Sequence, residues 1–395
     1  MSLPARQFFE APTLRKPPQP AQFNWITGAL DVIPEQFELP LPPLDDAVLP
    51  ADDSVILLST ENGSQLLVSG FGLFICKKGE RVVVKQAKKT CAQVPLMRLQ
   101  EIIVASRGVR FSSDLIEELC GRGIRLVCLT SSGKPFALVT SPMLTATVET
   151  RRAQFAATAN DRGAELGRWI VAGKLYNQEK LLRYFAKNRD GERRIALETA
   201  AASLRRLRRS ALAVEGVSPD EIRGELMGLE GVGGRLYWKQ IGNLLPDHLA
   251  FEGRRHQGAD DAVNAALNYG YGILMSHVWG AVMNAGLEPF AGFLHVDRSG
   301  KPSLVLDLVE EFRQPMVDRA ILGWLHKGGR LNMENGLLDA VSREAVASRI
   351  LLRLVAVEPH RGKQHQVRSI IQMQARLVAS AVRGLRVYRP FSFKW

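Results

Sequence analysis

Short apolar runs separated by turn residues mark the first patterned part of the chain. Val55-Ile56-Leu57-Leu58, Gln65-Leu66-Leu67-Val68, Leu73-Phe74-Ile75-Cys76 and Arg81-Val82-Val83-Val84 read as strands. Such runs are too short for helices and are rich in β-branched residues. Glu61-Asn62-Gly63 and Lys78-Gly79-Glu80 supply the turns between them. A helix is expected over Ser113 to Arg122, closed by Gly123 at a C-cap position. Ile124 to Leu129 is a further strand, and Ser132-Gly133-Lys134 turns it into Phe136-Ala137-Leu138-Val139. After Ser141 the apolar period changes to 3.6, as in Leu166 to Leu182 and Asn264 to Met283. Asp161, Ser218, Asp260 and Asp318 fit helix caps or first turns. The pattern predicts an α+β multidomain chain. A small N-terminal mostly-β domain over residues 53–140 is followed by a large all-α domain over 141–395.

Residues 1–52 belong to neither. Ten of the 20 prolines lie there, and such a segment sustains neither a helix nor a sheet ladder. It reads as an extended arm or linker, with Phe23, Trp25 and Ile26 as docking anchors.

Charge changes the picture next. The formal net charge over 395 residues is +12, which suits a polyanionic partner. The surplus is uneven: Glu149 to Ser210 carries 15 Lys+Arg against 7 Asp+Glu, and Leu351 to Trp395 carries 9 against 1. Interleaved Tyr and Phe make these stretches candidate phosphate-binding surfaces, although any single Arg also reads as a solvated helix face. Cys76, Cys91, Cys120 and Cys128 have neither zinc nor disulfide spacing and read as small buried groups in a reducing cytoplasm. No apolar run is long enough to predict a membrane span.

Three segments carry unusual chemistry. Gly228 to Trp238 places Gly231, Gly233 and Gly234 inside a helical pattern beside Glu230. Together these glycines cost roughly 3 kcal/mol of helix propensity, which implies close approach of a ligand or of another backbone. Gly292-Phe293-Leu294-His295 ends an apolar approach in an imidazole. In Asp307-Leu308-Val309-Glu310-Glu311-Phe312-Arg313, acids three and four apart share a helix face amid apolar residues, so a divalent cation or Arg313 must neutralise them. Glu230, His295 and Glu310 would make a two-carboxylate, one-imidazole site suited to Mg²⁺ or Mn²⁺. On spacing alone, one histidine and two distant acids do not define a site. His248, His256, His277, His326, His360 and His365 have no acid at ligand spacing; His277 reads as a helix-face residue and the others as surface.

The ordered set of motifs does define a resemblance. Glu230 before Tyr237, the Gly-Phe-Leu-His ending at His295, and Glu310 within Asp-Leu-Val-Glu-Glu-Phe-Arg resemble the catalytic subunit of the CRISPR spacer-acquisition integrase. So do Asp261 to Tyr271, Gly173-Lys174-Leu175-Tyr176-Asn177-Gln178, and the Gln374 to Phe391 stretch with Arg383-Gly384. The resemblance runs from about residue 55 to 395. Ala262 stands where the family usually has proline, and His360 to Arg368 diverges from its basic stretch.

That resemblance implies a metal-dependent endonuclease and integrase in which Glu230, His295 and Glu310 are both the catalytic residues and the metal ligands. A 3′-hydroxyl of a short DNA duplex would attack a phosphodiester of the CRISPR repeat array, exchanging one phosphodiester for another. Arg235, Lys301 and Arg313 are candidate phosphate contacts, with Arg313 alternatively paired to Asp307 or Glu311. Asn264 and Asn268 face the site or bond between helices, and Tyr237 reads as core. The family also implies a homodimer through the β domain and a small dimeric partner protein. Two other readings stay open: a nuclease that cuts without joining, and a basic scaffold without catalysis.

Overall fold

Among the described residues, nine strands precede the long helices. They are β1 (Val55–Thr60), β2 (Gly63–Val68), β3 (Leu73–Lys78), β4 (Arg81–Gln86), β5 (Lys89–Pro95), β6 (Leu99–Val104), β7 (Arg110–Phe111), β8 (Arg125–Leu129) and β9 (Pro135–Val139). Helix α1 (Ser113–Arg122) lies between β7 and β8 and stops at Gly123, which has a left-handed φ of 68°. The computed structural model describes residues 55–60, 63–141, 147–255 and 260–393. The proline-rich arm with its aromatic anchors, Glu61-Asn62 of the first turn, and His256 lie outside them.

The strands form a five-stranded sheet, ordered β1-β2-β6-β8-β9, and a four-stranded sheet, ordered β5-β4-β3-β7. Period-2 alternation gives the larger sheet two buried faces. Leu66, Val68, Ile102, Val104 and Leu126 point into a core shared with β3, β4 and α1. Their neighbours Leu67, Ile103 and Val127, in register across β2, β6 and β8, join the helical core instead.

Strands β5 and β6 carry no clean apolar run, and the pattern did not predict them. In β6 the interruption is Glu101, which is buried and pairs across the ladder with Arg125 of β8 at 2.6 Å. A histidine from the helical region completes the group: His277 Nε2 lies 3.0 Å from Glu101. This corrects the reading of His277 as a helix-face residue without an acid, because its partner is distant in sequence. Burial raises the Glu101 pKa, but Arg125 and His277 outweigh it and hold the carboxyl low. Burial, with Arg125, lowers that of His277.

The helical region contains α2 (Thr147–Ala157), α3 (Asp161–Ala186), α4 (Gly191–Ala213), α5 (Pro219–Gly242), α6 (Ala262–Asn284), α7 (Ser303–Val309), a π-helical turn (Arg313–Asp318), α8 (Arg319–His326), α9 (Ala340–Val355) and α10 (Val367–Val382). Two short hairpins interrupt it: β10 (Met333–Glu334) with β11 (Leu337–Leu338), and β12 (Val357–His360) with β13 (Lys363–Gln366). Asp161 lies in the first turn of α3, and Asn160 caps the helix, accepting from the Arg162 N–H at 3.0 Å. Ser218 occupies the N-cap position of α5. Asp261 rather than Asp260 caps α6, accepting from the Asn264 N–H at 2.8 Å. Asp318 occupies the N-cap position of α8, but its side chain makes no capping bond there and is buried in the core. The four cysteines are unpaired, two buried and two half-buried. Among the described residues, no helix is long and apolar enough to cross a membrane.

Helix α5 runs unbroken through its glycines, for two different reasons. A Cβ at Gly233 would collide with the buried Leu175 side chain of α3, whereas one at Gly234 would meet nothing within 4 Å. Gly234→Ala is therefore expected to stabilise the fold by about 0.5–1 kcal/mol through helix propensity. Gly233→Ala is expected to destabilise it by roughly 1 kcal/mol or more through overpacking. Thermal unfolding of the two variants checks this, and the reverse order would refute the packing account.

Candidate active site

The separated segments converge on Lys174. It lies on the buried stripe of α3 with Val171 and Gln178 and is 7% exposed. Its ammonium contacts Oε1 of Glu230, from the middle of α5, and stands 2.6 Å from Oε2 of Glu310, at the C-terminal end of α7. Arg313, in the π-helical turn, reaches Glu310 Oε1 at 3.2 Å. Burial works to raise the Glu310 pKa, but Arg313, Lys174 and His295 outweigh it and hold the carboxyl at about 2. Among the described residues, the buried Oε2 of Glu310 has no donor beyond the Lys174 ammonium.

His295 is fixed by Asp307. The backbone N–H groups of Phe293, Leu294 and His295 donate to its carboxylate at 2.6, 3.0 and 2.9 Å. The imidazole Nδ1 bonds the same group at 2.7 Å. A carboxylate only accepts, so this bond assigns the proton to Nδ1 and leaves the Nε2 lone pair available.

Three acids that sequence placed on one helix face thus have three tasks. Asp307 clamps the histidine loop, and Glu310 faces Lys174 and Glu230. Glu311 anchors the C-terminal segment, accepting from the Phe391 N–H at 2.6 Å, Tyr388 Oη at 3.0 Å and Gln374 Nε2 at 3.2 Å. Burial pushes the Glu311 pKa up to about 8 against the opposing effect of those donors. Arg313 pairs with Glu310 rather than with Asp307 or Glu311, the two partners of its alternative reading.

A cleft of about 630 Å³ opens beside this group, walled by Lys174, Glu230, Arg235, Trp238, Arg254 and Arg313. Gly231 and Gly234 lie in the same wall, where a side chain would fill the space. Arg254 is held there by Asn264 Oδ1 at 2.8 Å and Asn268 Oδ1 at 2.5 Å. Its guanidinium lies 5.1 Å from the Tyr271 ring, and Arg313 lies 4.8 Å from that ring. The Tyr237 and Tyr271 hydroxyls both donate to Asp318, the first at 2.7 Å. Burial raises Asp318 to about 6 although both tyrosines favour its ionised form. Tyr237 is core, as expected, and the two asparagines position an arginine. Lys301 lies outside the cleft, in the turn where its N–H donates to the Arg298 carbonyl at 2.9 Å.

Lys174, Arg254 and Asp318 escaped the sequence reading of the site. Lys174 was within a quoted motif but had no role; a lysine on an apolar helix stripe signals a buried acid partner. Among the described residues, no three His, Cys, Asp or Glu stand close enough to close round an ion. Between Glu230 and Glu310 stands the Lys174 ammonium. The residues nevertheless fit a hard divalent cation. Two carboxylates already share one positive charge, the buried Glu310 Oε2 has no donor beyond that charge among the described residues, and the Asp307 bond to Nδ1 leaves the other imidazole nitrogen to ligate.

The family model "CRISPR associated protein Cas1" matches residues 66–335. A CRISPR-associated endonuclease Cas1 of Archaeoglobus fulgidus is 34% identical over 347 residues, covering 84% of this chain and 100% of the relative. Its counterpart in Francisella tularensis subsp. novicida is 32% identical over 331 residues, covering 84% and 99%. Among solved structures, a casposase bound to integration product superposes with a TM-score of 0.70 at 21% identity, covering 83% of this chain and 93% of that one. A CAS1 protein from Thermotoga maritima gives 0.66 at 18% identity, covering 83% and 99%. A Cas6-RT-Cas1–Cas2 complex gives 0.66 at 20% identity, covering 84% of this chain and 36% of that one. With matched segments that include all three candidate site residues, the chain belongs to the CRISPR-associated Cas1 family.

Proposed function

We propose that this chain is a metal-dependent DNA integrase that joins the 3′-hydroxyl of a short duplex to a CRISPR repeat array. The observation that carries the reading is the pair of carboxylates, Glu230 in the wall of a basic cleft and the buried Glu310, held around the one positive charge of Lys174, itself in that wall. Glu230, Glu310 and Nε2 of His295 would hold Mg²⁺ or Mn²⁺, which when bound supplies positive charge to a phosphoryl oxygen and to the attacking hydroxyl. Asp307 keeps the His295 ring oriented with its proton on Nδ1. Arg235, Arg254 and Arg313 place cationic groups where phosphates would lie, and Trp238 and Tyr271 offer ring faces beside them. Dimerisation through the β region and a small dimeric partner complete the proposal; one solved structure of similar fold is a Cas6-RT-Cas1–Cas2 complex.

The curated relatives are named endonucleases, which favours one rival: cleavage without joining. An integration assay separates the two. Protein, its small partner, a 3′-hydroxyl duplex and a supercoiled repeat plasmid are mixed with Mn²⁺ or EDTA, using wild type, Glu230→Ala and His295→Ala. Joined products that need Mn²⁺ and vanish in both variants are expected, with duplex affinity largely kept. Nicking without joining would establish the nuclease instead.

A further inference from the structure

We propose that Lys174 is an internal competitor of the divalent cation, and that metal loading releases its ammonium into the cleft as a phosphate-binding group, so that metal and DNA bind cooperatively. This rests on the metal-dependent reading above and adds its regulation.

The positive charge between Glu230 and Glu310 is the Lys174 ammonium, in contact with both acids. An ion held by those carboxylates needs the same oxygens, so the two occupants exclude each other. A lysine stem is flexible and its charge compact, which suits it to moving. It is anchored on α3 within the cleft wall. Two acceptors stand ready in that wall: Gln178 Oε1, one turn further along α3, and Gln314 Oε1 are buried and have no hydrogen-bond partner among the described residues. Released from its acids, the ammonium would neutralise a phosphate beside Arg313. Linkage then requires each ligand to raise the affinity of the other by the same factor.

The test uses the full chain, with Mn²⁺ and a short 3′-hydroxyl duplex as probes. Free Mn²⁺ is followed by electron paramagnetic resonance in wild type, Lys174→Met, Lys174→Gln and Glu230→Gln. Duplex affinity is followed by fluorescence anisotropy with and without Mn²⁺. Both Lys174 variants are expected to bind Mn²⁺ at least tenfold more tightly than wild type. Their gain in duplex affinity on adding Mn²⁺ is expected to be at least threefold smaller. In wild type, which needs no substitution to fold, labelling of Lys174 by an amine-reactive ester should rise when Mn²⁺ is added. Glu230-dependent Mn²⁺ binding that is no tighter in the Lys174 variants, or labelling that does not change, overturns the inference and leaves the metal site standing. Absence of Mn²⁺ binding in wild type overturns both.

Discussion

Glu310→Gln is expected to lower the rate of strand joining by about 10²–10³-fold or more while leaving duplex affinity within about threefold of wild type. The two quantities separate because they draw on different charges. Joining requires negative ligands that concentrate positive charge at the reacting phosphorus, and Glu310 is the more deeply buried of the two acids, held ionised at about 2. Affinity comes mainly from cations facing phosphates. Removing one carboxylate frees Arg313 and Lys174 from a counter-charge, so affinity is kept or increased. The integration assay and duplex anisotropy, run on the same preparation, measure both. A parallel loss of joining and affinity would mean that Glu310 supports the fold of the cleft rather than its chemistry.

The second large effect lies next door, at Glu311, and concerns stability against pH. Its carboxyl is pushed from an ordinary value of 4.5 up to about 8, chiefly by burial. The native state therefore holds a proton that the unfolded chain gives up above about pH 4.5. Stability contributed by this proton is fully present at low pH and is lost as pH rises through that window, by up to about 1.4 kcal/mol per unit. Glu311→Gln keeps an acceptor for the Phe391 N–H and removes the titration. Wild type should thus lose stability relative to the variant in denaturant unfolding at pH 5, 6, 7 and 8. Asp318, raised to about 6, acts in the same direction in both proteins and cancels in the comparison. A difference that stays constant across these pH values would show that Glu311 is ionised in the fold.

Much of this is legible in the sequence alone. The α+β architecture followed from the change of apolar period, and α1 ended at Gly123 because a left-handed residue was needed there. Four of the misses share one cause. Strand β6, His277, Lys174 and Asp318 each put a charged or polar group inside the core, and a polarity pattern reads such a group as surface. Each is made tolerable by a partner remote in sequence: Arg125 for Glu101, Glu230 and Glu310 for Lys174, Tyr237 and Tyr271 for Asp318. The acidic run 307–311 shows the complementary limit. Helical spacing put Asp307, Glu310 and Glu311 on one face, but α7 ends at Val309 and the backbone turns there, sending the three carboxylates to three different neighbours.

Helix α6 spans both halves of the fold, and this has a mechanical consequence. His277 is clamped to Glu101 and Arg125 of the larger sheet. Six residues earlier, Tyr271 lies between Arg254 and Arg313 in the cleft, with Asn268 and Asn264 holding Arg254 beyond it. At 1.5 Å of rise per residue, only about 9 Å of continuous helix separates the two fixtures. A rod that short transmits axial displacement with little loss. A load that slides the sheet along it would therefore arrive at the arginine pair as a change of grip, and tightening that grip would push back on the sheet.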